Sequence, residues 1–158
     1  MATKGRPTTR TIPKIKGKVL ILEARFHEPI TEMMVKGAIA VLEQSGVKYE
    51  RLSVPGSFEI PGAIKFAMNM YDGFVALGCV IRGATSHFEY VCAESARGLM
   101  ALTMEHNMAI GYGILTCETE AQAIERADPK QLDKGGDAAA ACLRMIELKS
   151  RFLGGSRA

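Results

Sequence analysis

The sequence predicts a three-layer α/β domain built on a four-stranded parallel sheet with helices on both faces. Three observations carry that expectation. Four apolar, strand-like runs alternate with helical stripes along one chain and with short connections, the pattern of a doubly wound sheet. The third run, GFVALGCVI at 73–81, is apolar throughout, as a strand covered on both faces must be. The 158 residues suffice for one domain with a sizeable core, and no internal repeat or interdomain linker interrupts them.

Taken in order, residues 18–25 (KVLILEAR) read as a mostly buried first strand. Met34, Ala38, Val41 and Leu42 then recur at helical spacing within 31–45, and Gly46 supplies a stop. Residues 48–55 alternate at Tyr49, Leu52 and Val54, a second strand. Over 59–70, Ile60, Ile64, Ala67 and Met68 share a helical face, and Pro61 fits only in its first turn. The third strand leads into a helix over about 87–104, where Ser86 and Glu89 have the spacing of a capping box. A fourth strand at 108–116, a short helix at 120–127 and an Ala- and Leu-rich helix at 137–152 complete the chain.

Charge is unevenly distributed. Lys4, Arg6, Arg10, Lys14 and Lys16 fall in the first 16 residues with no acidic partner. Removing those five from the 20 basic residues leaves 15 against 17 acidic ones, a balance of −2 for the body. Residues 1–16 are therefore expected as a flexible basic arm, free or laid on a neighbouring subunit, ahead of a single domain at 17–158. The slightly acidic body does not suggest a nucleic-acid surface. No apolar run approaches the roughly 20 residues of a membrane span, and the N-terminus lacks the apolar segment of a secretory signal. Cys79, Cys92, Cys117 and Cys142 are widely spaced, without metal-ligand or C-x-x-C spacing, which points to a reducing, cytoplasmic setting and no structural metal.

The C-terminal ends of parallel strands share one rim, where such sheets bind ligands. Phe26 and His27 leave the first strand there, and Pro55, Gly56, Ser57, Phe58 and Glu59 leave the second. The third strand exits through Arg82, Gly83, Ala84, Thr85, Ser86 and His87. Backbone N–H groups and a hydroxyl at a helix N-terminus suit an anion such as phosphate, with His87 beside it as a candidate proton relay. Taken alone, each part has a plainer reading: a capped helix, a surface histidine, a turn, a core phenylalanine. Their convergence on one rim favours a site. Glu118 and Glu120 read as loop and helix-start residues rather than an acid/base pair. No nucleotide-binding glycine motif and no H-E-x-x-H is present.

With those loops quoted together, the chain resembles the lumazine synthase family of riboflavin biosynthesis. The blocks are VPGSFEIP (54–61), ALGCVIRGATSHFEYV (76–91), YGILTCET (112–119), QAIERA (122–127) and DKGGDAA (133–139). The resemblance implies a flavodoxin-like fold, homopentamers with sites shared between subunits, and a functional link to riboflavin synthase. It implies two small-molecule substrates, 5-amino-6-(D-ribitylamino)uracil and 3,4-dihydroxy-2-butanone 4-phosphate, and no metal, flavin or nicotinamide cofactor. By resemblance, Phe26 stacks on the pyrimidine, and Ser57, Phe58 and Glu59 hold the ribityl side. Cys79, Val80 and Ile81 line the ring pocket, which Tyr112 closes. Ala84, Thr85 and a neighbour's Arg126 hold phosphate, and His87 is the proton donor. Arg82 and Lys134 are further candidates. His27, Tyr112 and Cys79 stand where the family usually has Asn, Phe and Thr. Those departures leave open a weakly active or non-catalytic flavin- or ribityl-binding paralogue, with a flavin mononucleotide carrier as a third reading.

Overall fold

The structure is a computed structural model and describes residues 10–154. Four strands, β1 (Lys18–Ala24), β2 (Lys48–Val54), β3 (Gly73–Ile81) and β4 (Ile110–Cys117), form one sheet in the order β2-β1-β3-β4. Every neighbouring pair is parallel. The helices are α1 (Glu28–Ser45), α2 (Ile60–Ala67), α3 (His87–His106), α4 (Glu120–Ala127) and α5 (Lys134–Leu153), and a 3₁₀ turn at Ser57–Glu59 precedes α2.

The period-2 alternation of the strands sorts the core into two halves. Val19 and Ile21 of β1, with Val75, Leu77 and Cys79 of β3, pack against α1, α4 and α5. Leu20, Leu22 and Ala24, with Phe74 and Ala76, meet Ile60 and Ile64 of α2 and Leu99 and Leu102 of α3. Three layers result, as expected of a flavodoxin-like α/β fold.

Several local readings change. Helix α1 starts at Glu28, ahead of the expected Thr31, because Pro29 is accommodated in its first turn. It ends as expected at Gly46, which is left-handed at φ 79°. Leu52 of β2 is exposed rather than inward-facing, since β2 is an edge strand with little covering it. Helix α5 starts at Lys134 rather than 137, capped by Asp133, whose Oδ1 accepts the Gly136 N–H at 3.2 Å. A Cβ on Gly111 of β4 would lie 1.9 Å from the Ala138 carbonyl oxygen, so glycine there lets α5 lie directly on the edge strand.

Of the segment expected as a flexible arm, residues 1–9 lie outside the described residues. Residues 10–16 lie against the domain: Ile12 and Ile15 pack on the core, and the Lys14 ammonium donates to the Gln44 carbonyl at 2.6 Å.

A charged group is buried at the end of β1. Glu23 is 2% exposed and faces the fork of Arg51 on β2, with Nε and Nη2 donating at 2.7 and 2.8 Å. Arg51 also reaches Glu32 of α1 at 2.7 Å, and Arg25 bridges Glu23 at 3.5 Å and Glu28 at 2.5 Å. This bidentate pairing offsets the cost of placing a carboxylate in the interior. It also brackets the turn that carries Phe26 and His27.

Candidate active site

The chain runs from β1 to β2 on one side and then crosses to β3 on the other, so the sheet order reverses between β1 and β3. Loops diverge above such a point and leave a crevice. A concavity of about 720 Å³ lies there. Phe26 and His27 enter from β1, the 3₁₀ turn brings Ser57, Phe58 and Glu59 from β2, and β3 supplies Cys79, Val80 and Ile81 as one wall. Thr85 and His87 close it at the start of α3.

The local geometry explains how these groups are held. The Phe26 ring is 79% exposed and meets the edge of His27 at 5.0 Å, an open stacking platform beside an imidazole. The Glu59 carboxylate accepts the Gly56 N–H at 3.0 Å, which fixes the turn. The Ser57 hydroxyl is buried with no hydrogen-bond partner and packs so closely on β3 that a Cβ on Gly78 would sit 2.3 Å from it. An orphan hydroxyl beside a crevice suits a polar ligand. Burial pushes the Cys79 thiol up to about 12, with Cys117 and Glu120 adding to the effect, so it is a neutral wall residue and no nucleophile.

At the start of α3 the expected capping box is not made. Ser86 is helical, at φ −71° and ψ 0°, with no side-chain cap bond. The Thr85 hydroxyl instead accepts the His87 N–H at 3.4 Å. Glu89 does not return to the Ser86 backbone because Arg82 captures its carboxylate. Arg82 also donates to Glu118 at 2.6 Å and lies 4.3 Å over the Phe88 ring. Glu118 and then Glu89 raise its pKa above the ordinary value. Arg82 therefore ties the β3–α3 turn to the β4–α4 turn and does not line the crevice. Ala84 is exposed beside it without lining it. Glu118 serves Arg82, and Glu120 opens α4 after the Thr119 cap, so the two form no acid/base pair.

The remaining candidates lie elsewhere. Tyr112, Arg126 and Lys134 line a second concavity of about 510 Å³ that wraps the edge strand β4. Tyr112 points to the α3 side, half-exposed, its pKa raised by burial and then by Cys92. Arg126 donates to the Gln122 carbonyl at 3.0 Å and meets Glu125 at 3.3 Å. Lys134 faces Asp137 at 3.4 Å. Asp137, which sequence reasoning missed, lines the same concavity. Its signal was the i,i+3 spacing from Lys134 within DKGGDAA. The two concavities share no residue.

The sequence profile of the 6,7-dimethyl-8-ribityllumazine synthase family matches residues 16–150. The chain belongs to that family. A relative named 6,7-dimethyl-8-ribityllumazine synthase from Novosphingobium aromaticivorans is 57% identical over 137 residues, 85% of this chain and 98% of the relative. One of the same name from Erythrobacter litoralis is 55% identical over 85% of this chain and 97% of its own. Another from Afipia carboxidovorans is 48% identical over 96% and 98%. Family membership makes the chain an enzyme of lumazine formation in riboflavin biosynthesis. No helix among the described residues is long and apolar enough to cross a membrane.

Proposed function

We propose that the chain condenses 5-amino-6-(D-ribitylamino)uracil with 3,4-dihydroxy-2-butanone 4-phosphate, giving 6,7-dimethyl-8-ribityllumazine, phosphate and water. The observation that carries this reading is the switch-point crevice, where an exposed aromatic ring, a turn-held carboxylate and an imidazole meet the N-terminus of a long helix. Phe26 stacks on the pyrimidine, while the Ser57–Glu59 turn holds the ribityl chain. Cys79, Val80 and Ile81 form the wall behind the ring. Thr85, with the adjacent Ala84, receives the phosphate at the positive end of α3.

The amine of one substrate adds to the ketone of the other and water leaves to give an imine. Phosphate then departs by elimination, leaving an enol that tautomerises to a ketone, and the ribityl-bearing amine closes on that ketone with loss of a second water. These steps need alignment more than a strong nucleophile, so proximity supplies several kcal/mol of the acceleration. His87 moves protons at the developing imine and at the departing phosphate oxygen.

One chain holds these groups in two halves. In the homopentamer that this reading requires, the concavity at β4 of one subunit closes the crevice of the next. Tyr112 then covers the ring and Arg126 neutralises the phosphate. Further packing into an icosahedral shell would leave this pairing unchanged. The product passes to a riboflavin synthase, and the unpaired cysteines suit a cytoplasmic setting. Incubating the purified chain with both substrates tests the reading: fluorescent lumazine appears with stoichiometric phosphate. Binding of the ribityl compound without turnover would overturn it in favour of a non-catalytic relative.

A further inference from the structure

The turn between β3 and α3 carries Thr85 and His87, yet the core does little to hold it. Residues 82–87 are all exposed, and a Cβ on Gly83 would meet nothing within 4 Å. Among the described residues, the N–H groups of Gly83, Ala84, Thr85 and Ser86 donate to no backbone acceptor, and Ser86 makes no side-chain cap. An exposed turn with so few bonds of its own opens easily unless something else holds it.

Arg82 grips it at both ends. Its N–H donates to the Cys117 carbonyl at 3.0 Å, which fixes the entry of the turn against β4. Its guanidinium reaches across to the first turn of α3, its centre 4.3 Å over the Phe88 ring and Nη1 on the Glu89 carboxylate. Nε donates to Glu118 Oε2 at 2.6 Å, and the Glu118 N–H is itself held by Gln122 Oε1 at 2.8 Å. Phe88 lines the crevice with Thr85 and His87. A planar fork shared between a ring and two carboxylates on different elements fixes an orientation that a point charge does not. Each exposed ion pair alone contributes little to global stability, so the effect of the set is on position.

We infer that Arg82 is a positioning residue for the phosphate end of the crevice: it clamps the β3–α3 turn and so sets where the Thr85 hydroxyl, the turn N–H groups and the His87 imidazole stand. This rests on the proposed function for the identity of the substrate. Two carboxylates already occupy the guanidinium, so it acts through the turn and not as a ligand of the anion.

Calorimetry of inorganic phosphate binding and steady-state kinetics on the full-length assembly test it, because the two roles differ in sign. A clamp is weakened by the loss of either side. Arg82→Ala, Glu89→Ala and Glu118→Ala are therefore each expected to raise the phosphate Kd and KM for the butanone phosphate, Arg82→Ala by about tenfold, and to lower kcat. KM for the pyrimidine stays near the parent value. Arg82→Lys, which keeps the charge but loses the fork, recovers only part of the loss. With Glu89 and Glu118 both replaced by Ala, Arg82→Ala adds little. A guanidinium that touched the anion, or acted only as a nearby charge, would give the carboxylates the opposite sign: Glu89→Ala and Glu118→Ala would tighten phosphate binding. That result would overturn the inference. So would constants for Arg82→Ala that match those for Arg144→Ala, an exposed arginine paired with Glu147 on α5. A fall in all constants together, tracking loss of thermal stability, would overturn it too. If Arg82→Ala does not assemble, the two glutamate variants and Arg82→Lys carry the same comparison. A parent chain that makes no lumazine but binds phosphate defeats the functional reading alone, and one that does neither defeats both.

Discussion

His87 and Arg126 of one chain line different concavities, one at the β1/β3 switch point and the other at the β4 edge, with no residue in common. The imidazole stands with the stacking ring and the helix N-terminus. The guanidinium stands with Tyr112, Lys134 and Asp137. The proposed condensation, which expels phosphate, would use both sets, so on that proposal each chain carries two half-sites and the complete site forms between neighbours.

In the proposed reaction His87 acts on protons while alignment already assists the steps. His87→Ala should lower kcat by up to about 100-fold without abolishing turnover, with KM for both substrates little changed. Unchanged kcat, read as lumazine fluorescence, would remove His87 from the chemistry.

The role proposed for Arg126 is to supply charge rather than protons. Arg126→Ala should raise KM for the butanone phosphate about 10- to 100-fold and leave KM for the pyrimidine close to the parent value. A loss confined to kcat would mean that the guanidinium acts after binding.

The Glu23–Arg51 pair should respond asymmetrically. Arg51→Ala strands a carboxylate that is 2% exposed and should cost about 3 kcal/mol in denaturant unfolding at fixed protein concentration. Glu23→Gln should cost about 1 kcal/mol, because the amide keeps one hydrogen bond and Arg51 keeps Glu32. Arg51 holds the Glu32 carboxyl below the ordinary glutamate range. The stability Glu32 contributes is therefore complete above its unfolded pKa and lost as pH falls through the lower folded value. Arg51→Ala should flatten that acid slope, which urea titrations at falling pH would read.

The four thiols are unpaired and differ in access. Burial pushes Cys79 and Cys142 up to about 12, and raises half-buried Cys92 less. Iodoacetamide on the native protein should therefore label Cys92 first and leave Cys79 and Cys142 until unfolding. Early modification of Cys79 on peptide mapping would contradict the closed wall behind the crevice.

Much of this was legible in the sequence because periodicity reports burial. The unbroken apolar run of β3 announced a central strand, and Gly46 and Pro61 marked a helix end and a helix start. The rim followed from parallel connectivity, which is why Phe26, Ser57 and His87 group together from the sequence alone. What sequence hid was competition between partners. Ser86 and Glu89 have capping-box spacing, but Arg82 is close enough to take the carboxylate. Leu52 alternates correctly yet lies on an edge strand. Arg10 looked like part of a free basic tail because its carboxylate partners, Asp133 and Asp137, lie more than a hundred residues away. That Arg126 and Lys134 line one concavity was not legible, because helix spacing does not reveal which concavity a side chain lines.

Mixed assemblies measure the central claim most directly. Co-expressed His87→Ala and Arg126→Ala chains, each poorly active alone when the butanone phosphate is held near the parent KM, place an intact His87 beside a neighbour's intact Arg126 at about a quarter of the interfaces of a randomly mixed ring. Lumazine formation well above the average of the two parents, with that fraction of normal sites by active-site titration, is the predicted result. Activity no higher than that average, in assemblies confirmed to contain both chains, would contradict a site built from two subunits.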